Sequence, residues 1–311
     1  MKVSILITAY RRRDWLPAAV ESALACGVDT EVVVVKDHAD PSDAALRSRG
    51  VTVINEDLPV VGEMLVHGVD ACHGDVICFL DDDDLFRADK VRVIGEAFDS
   101  ESDLAMVRNG LTSIEPDGSV RPAWRRQPTC ELRVDAATSS REMDAVVGQG
   151  AFVNLSTMSV RRRLVTEQRE LLSKVTAATD FSMTILMLES GGSIRITPER
   201  LSFRRLGTSV WVKGVGGEAV RIAGMMRTLL PGLGNRLARR LAERIRDKAM
   251  VEAFLNGSAD DVSAGMVLRT AWRYRFRTVD AFEEAAQGLL TKVAPEMAGR
   301  VYRHRKRAWT S

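Results

Sequence analysis

Asp75-Val76-Ile77-Cys78-Phe79-Leu80 runs directly into Asp81-Asp82-Asp83-Asp84. A short, unbroken apolar run with polar flanks predicts a buried strand near the middle of a parallel sheet. The four carboxylates then fall beyond the C-terminal end of that strand, where open α/β sheets bind their ligands. Adjacent carboxylates repel and raise one another's pKa unless something positive sits among them. A hard divalent cation, Mg²⁺ or Mn²⁺, answers that need, because it takes oxygen ligands and shares them with substrate phosphates. A solvated acidic turn is the plain reading of any Asp run. The apolar strand in front of this one favours a metal–phosphate site.

The chain on either side has the alternation that such a sheet requires. Val3–Thr8 reads as a strand, and Asp14 as the N-cap of a helix through Trp15, Leu16, Ala19, Val20, Ala23 and Leu24. Strands follow at Glu31–Val35 and Val51–Ile54, with helices near Pro41–Arg49 and Gly62–Cys72. Strand–helix alternation at this spacing predicts βαβ units with right-handed crossovers. Beyond the acidic run come a helix at Asp89–Phe98 and strands at Leu104–Arg108 and Ala151–Val160. Between those strands, Ile114–Asp144 is rich in Pro, Ser, Thr and Asp and reads as a loop carrying Trp124-Arg125-Arg126, either a lid or an ordinary surface excursion. An apolar helix from Asp180 to Leu188, then short strands at Ser193–Thr197 and Leu201–Arg205, complete the α/β part. After the Gly-rich stretch Gly207–Gly217 the patterns are helical, with Leu237, Leu241, Ile245 and Ala249 on one face and further helices near Val262–Arg273 and Ala281–Val293.

Composition excludes several classes. No stretch is long and apolar enough for a membrane-spanning helix, and the short apolar start that meets Arg11-Arg12-Arg13 is not the pattern of a signal peptide. Cys26, Cys72, Cys78 and Cys130 lack metal or redox spacing, so reduced thiols and a cytoplasmic location are expected. The formal net charge of +2 conceals an asymmetry, since the chain from Asn235 onward holds 16 Lys/Arg against 9 Asp/Glu. A basic tail closing on Arg303-His304-Arg305-Lys306-Arg307 suits an anionic membrane surface or an anionic acceptor, although solvated helix faces are the commoner cause. No nucleic-acid partner is expected, and a homo-oligomer is compatible with the helical tail.

Taken together, these features resemble a family 2 glycosyltransferase with the GT-A fold over about two thirds of the chain, from Val3 to about Ser209. Thr8-Ala9-Tyr10 resembles the start of that family's nucleotide pocket, and Val33-Val34-Val35-Lys36-Asp37 its second-strand motif, whose final Asp contacts the nucleobase. Phe79-Leu80-Asp81-Asp82-Asp83-Asp84 is similar to the DxD-type motif that holds ribose and metal–diphosphate. Thr179-Asp180-Phe181 resembles the acidic base motif, and Pro198-Glu199-Arg200-Leu201 with Phe203-Arg204 and Ser209 the closing segment. Leu65-Val66 stands where the family often has Arg-Asn, Arg11 where it has Asn, and Leu206 where it has His. The resemblance implies an α/β, Rossmann-like GT-A domain over residues 1–212, a basic helical extension over 213–311, and inverting transfer from a nucleotide-sugar, with a UDP-sugar as first expectation, to a hydroxyl acceptor.

On this reading Asp83, with Asp81, holds Mn²⁺ or Mg²⁺ against the departing diphosphate, and Asp82 reaches the ribose. A sugar hydroxyl is a weak nucleophile, so a carboxylate on the opposite face must take its proton. Asp180 is the candidate base, with a helix cap as its plain alternative, and Glu199 is a second carboxylate to weigh. Tyr10 stacks on the base or merely packs, Asp37 reads the base or closes a turn, and Arg204 and Arg205 clamp phosphate or end a strand. Two other classes compete. A sugar nucleotidyltransferase needs a Gly-rich loop that Thr8–Arg12 lacks. A catalytically inactive binding or scaffold protein on the same fold is the reading that Leu65, Val66 and Leu206 favour.

Overall fold

The structure is a computed structural model that describes residues 1–10, 14–27, 30–58, 60–121, 127–207 and 215–255. Arg11, Trp124–Arg126, Ser209, the helical patterns near 262–273 and 281–293 and the basic run Arg303–Arg307 lie outside the described residues. In order, the elements are β1 (Val3–Ala9), α1 (Leu16–Leu24), β2 (Glu31–Lys36), α2 (Asp43–Ser48), β3 (Thr52–Asn55), α3 (Val61–Ala71), β4 (Val76–Asp81) and β5 (Leu85–Phe86). They continue with α4 (Lys90–Ser100), β6 (Leu104–Ile114), β7 (Val120–Arg121), β8 (Leu132–Val134), α5 (Ser140–Gly148), β9 (Met158–Arg161), α6 (Arg162–Glu167), α7 (Arg169–Leu172), α8 (Thr179–Glu189) and β10 (Ser193–Arg205). Last come α9 (Val215–Leu229) and α10 (Arg236–Leu255).

The strands form one sheet in the order β3-β2-β1-β4-β9-β6-β10-β5, with β7 on β6 and β8 on β10. β3, β2, β1 and β4 are mutually parallel, β9 runs antiparallel between β4 and β6, and β10 is parallel to β6. β4 is central, as its apolar run predicts: Val76, Ile77, Cys78, Phe79 and Leu80 are all fully buried. Buried on both faces, such a strand needs apolar residues at every position. On one face Val3, Ile5 and Ile7 of β1 and Val76, Cys78 and Leu80 of β4 pack with Ala19, Val20 and Ala23 of α1 and Ile94 and Phe98 of α4. α8 is apolar on all sides and accordingly buried, from Met183 to Leu188.

Four local expectations change. Ala151–Val160 is not one strand: a loop leads to a 3₁₀ turn at Leu155–Thr157, and β9 begins only at Met158. Asn154, at φ 73°, cannot continue an extended strand. The two short strands at 193–205 are one strand, β10, with register shifts around Ile196–Ser202. Pro198 within that stretch has no N–H to give a ladder. Asp14 is not the cap of α1, which starts at Leu16 with Trp15 in the cap position and no side-chain cap. The stretch before Asp144 holds β7, β8 and the start of α5, where Ser139 and Glu142 form a capping box.

The described residues divide into two compact units, the first within Met1–Val210 and Leu229–Leu241, the second within Trp211–Thr228 and Ala242–Ser311. In the first, the Glu189 carboxylate accepts from the N–H groups of Gly234 and Asn235, both at 2.9 Å. In the second, Arg227 Nη2 meets Met250 Sδ at 3.4 Å, and Ala242, Ile245, Ala249 and Ala253 are buried at helical spacing. Among the described residues no helix is long and apolar enough to cross a membrane.

α3 sits close to the α7–α8 connection because Gly62 has no side chain. Its N–H donates to Val175 O at 2.8 Å, and a Cβ there would lie 2.1 Å from Leu172 O and 2.8 Å from Val175 N. Both obstacles are backbone, so neither can swing aside. Gly62→Ala is expected to lower stability by about 1–3 kcal/mol, the usual range for overpacking, read as a lower denaturant midpoint at unchanged slope.

Candidate active site

The parallel register brings the C-terminal ends of β1, β2 and β4 to one edge. Thr8 pairs with Asp81 and with Val35, and Ala9 pairs with Lys36. Thr8, Ala9 and Tyr10 therefore lie between the acidic cluster and Asp37, the residue that follows β2. Asp37 is half-buried and its Oδ1 lies 2.8 Å from His38 Nδ1. The strand beneath it is anchored by the buried ion pair of Lys36 with Asp43, which also accepts from Asn55 Nδ2 at 2.7 Å.

Asp81, Asp83 and Asp84 each bring a carboxylate oxygen within 4.8 Å of the others. Asp84 thus joins the residues expected from sequence, whereas Asp82, expected at the ribose, is 1% exposed and lies outside that triple. Asp84 is held firmly. Its Oδ2 accepts from Asn154 Nδ2 and Ser156 Oγ, both at 2.7 Å, and its Oδ1 from the Arg205 N–H at 3.0 Å. Burial, and then the charge of Asp83, still push the Asp84 carboxyl up to about 6. The donor set is hard oxygen throughout and its members repel, so the residues fit Mg²⁺ or Mn²⁺. Asp81, Asp83 and Asp84 are the residues that could hold such an ion.

Asp180 is in the first turn of α8, after Ala178 in a left-handed conformation, and so is not the helix cap. Its Oδ1 accepts from its own neighbour, Phe181 N–H, at 2.8 Å, and its Oδ2 from Asn154 N–H at 3.0 Å. Burial raises its pKa, opposed by those two backbone bonds and by the charge of Arg204. A raised pKa makes this carboxylate a stronger proton acceptor than a solvated one.

Other expected residues have different work. Arg205 is structural: its Nε donates to Asp83 O at 3.2 Å, its Nη1 to Glu115 O and Pro116 O at 3.2 and 2.8 Å, and its guanidinium lies 4.2 Å from the Trp15 ring centre. Arg204, the preceding residue, is half-buried and is the one whose charge reaches Asp180. Glu199 is exposed and accepts from Arg87 Nη2 at 2.6 Å. Leu65 and Val66 are core residues of α3, so those two departures meet a packing need; nothing in the structure explains Leu206. Asn154 and Ser156 were not legible as site residues because Ala151–Val160 reads as a strand. The one signal was Asn itself, which tolerates positive φ better than most residues.

The carboxylate triple at the end of β4 and Asp180 are joined through Asn154, whose amide donates to Asp84 and whose N–H donates to Asp180. Residues 4–169 match the model of Glycosyl transferase family 2, over half of the chain, and the protein belongs to that family. Its fold is the GT-A glycosyltransferase fold. The solved structure of S. aureus TarS 1–349 in complex with UDP-GlcNAc is similar at TM-score 0.58 and 14% identity, covering 88% of this chain and 80% of that one. The same TarS fragment with UDP is similar at TM-score 0.55 and 14% identity, over 94% and 82%. No protein of curated function matches the sequence.

The raised pKa of Asp84 has a sign that can be measured. A carboxyl raised to about 6 in the folded protein, against about 4 in the unfolded chain, favours folding below about pH 4. That contribution is lost as pH rises to about 6 and stays lost above. In chelator, Asp84→Asn is therefore expected to gain stability relative to wild type between about pH 4 and pH 6, with a constant difference beyond. Paired thermal scans across that range check it.

Proposed function

We propose that the protein transfers a sugar from a nucleoside-diphosphate sugar to a hydroxyl acceptor with inversion at the anomeric carbon. The observation that carries this reading is the carboxylate triple at the end of β4 joined, through Asn154, to the base-like Asp180. Departure of a nucleoside diphosphate develops negative charge on phosphate and oxocarbenium character on the sugar. A bound Mn²⁺ or Mg²⁺, held by Asp81 and Asp83, would supply Lewis-acid stabilisation of that phosphate charge. Asp37 would accept from the ring N–H of the nucleobase, a preference that suits uracil. The UDP and UDP-GlcNAc bound by the similar TarS structures lend the same direction. Thr8 and Tyr10 line the donor side, and Arg204 lies near the carboxylate that meets the acceptor. Asp180 takes the hydroxyl proton as the new bond forms. One carboxylate acting as base, rather than as nucleophile, gives a single displacement and hence inversion.

A thermal-shift screen of UDP-, GDP-, CDP- and dTDP-sugars with and without Mn²⁺ tests the donor, since a ligand of the native state raises Tm by mass action. A UDP-sugar is expected to stand out, and only with the metal present. Asp83→Ala should remain folded and lose that metal-dependent shift. A variant that binds donor and Mn²⁺ as wild type does leaves the cluster a mere acidic turn.

Asp180→Asn addresses the proton. Both Asp180 oxygens accept N–H bonds, so the amide replaces one acceptor by a donor and should cost about 1–3 kcal/mol of stability. It also cannot take the acceptor's proton, a role worth roughly 10²–10⁴ in rate. The expected result is near-native donor affinity with kcat at least about a hundredfold lower. Near-wild-type kcat would leave Asp180 a structural residue of the first turn.

A further inference from the structure

Asn154 combines two features that stability alone does not favour. Its backbone sits at φ 73° and ψ 117°, a region costly to any residue with a side chain. Its Oδ1 is buried without a hydrogen-bond partner. The orientation of the amide is set by Asp84, because only the NH₂ end can face a carboxylate that accepts it at 2.7 Å. The main-chain N–H of the same residue points at Asp180 Oδ2, 3.0 Å away. With Phe181 N–H on the other oxygen at 2.8 Å, the Asp180 carboxylate is fixed in plane and tilt. One residue in an unfavourable conformation therefore holds the carboxylates on both sides of the reaction.

We infer that Asn154 is a positioning residue that couples the acidic cluster to the proton acceptor, its side-chain amide setting Asp84 and its main-chain N–H setting Asp180. The inference rests on the glycosyltransfer reading above. Asparagine suits both tasks. It enters positive φ more readily than other side chains, and its amide donates where aspartate would add a further negative charge. Glycine would keep the backbone turn and lose the amide; alanine would lose the amide and also disfavour the turn.

That contrast is the test. Asn154→Gly retains the N–H on Asp180 and loses only the bond to Asp84. Asn154→Ala loses the amide and loosens the bond to Asp180 as well. Calorimetric titration with Mn²⁺ alone is expected to show both variants weakened equally, by roughly tenfold, because an Asp84 released from the amide loosens the turn that presents Asp81 and Asp83, and tenfold is the scale of such outer-shell support. In Mn²⁺-dependent hydrolysis of UDP-GlcNAc, Asn154→Ala should lose at least roughly a further tenfold in kcat relative to Asn154→Gly, at equal donor KM. A purely structural residue would order the variants in Tm without this split in kcat. Equal kcat in the two variants overturns the coupling, as does Mn²⁺ affinity unchanged in both. Failure of the wild type to cleave UDP-GlcNAc counts against the donor reading alone. The Mn²⁺ titration then decides for Asn154: weakened binding in both variants upholds its hold on Asp84, and unchanged binding removes it.

Discussion

Negative charge gathered at the buried end of a strand is the constraint on which the rest of this structure depends. Asp82, Asp83 and Asp84 are 1%, 9% and 2% exposed, and carboxylates so placed are costly unless they are hydrogen-bonded or meet a cation. The fold answers with donors from distant parts of the chain: the amide of Asn154, the hydroxyl of Ser156 and the N–H of Arg205 all converge on Asp84. Asp81 N–H in turn donates to Ser156 Oγ at 3.0 Å. The acidic turn is thereby held in shape by the protein's own donors.

A second layer supports the first. Ser156 O accepts from Lys90 Nζ at 2.7 Å and from Ser202 Oγ at 2.6 Å, and Asn109 Nδ2 reaches Ser202 Oγ at 3.1 Å. Lys90 is entirely buried, with its ammonium 3.8 Å from the Phe86 ring centre. Burial, which penalises the charged form, lowers its pKa to about 8, and the charge of Asp84 opposes that shift. α4, β6, β10 and the 3₁₀ turn before β9 thus meet on a single polar network, whose hydrogen bonds join elements far apart in the chain.

Asp180 shows how one environment sets both the position and the basicity of a group. Burial raises its pKa, while the N–H groups of Asn154 and Phe181 and the charge of Arg204 keep it from rising further. The same hydrogen bonds that restrain the carboxylate therefore tune it. Each oxygen has a lone pair beyond the one it already uses, so the group stays able to receive a proton while its orientation is held.

The sequence by itself determined the βαβ order, the central place of β4, the acidic residues at its end and the buried character of α8. These follow from runs and periods only a few residues long, which sidedness and burial translate directly into strand or helix. The family likeness, too, was legible in the order of short motifs. Tertiary structure alone decided that Asp84 belongs with Asp81 and Asp83, that Arg205 is a brace and Arg204 the cation near Asp180, and that Asn154 and Ser156 bond the acidic turn. The physical reason is distance along the chain. Asn154 meets Asp84 across 70 residues and Arg205 meets it across 121, and no local pattern encodes a hydrogen bond between groups so far apart. Ala151–Val160 was misread for the same cause: its residues favour a strand, but the bonds from Asn154 to Asp84 and Asp180 hold the backbone in a turn that local propensity opposes.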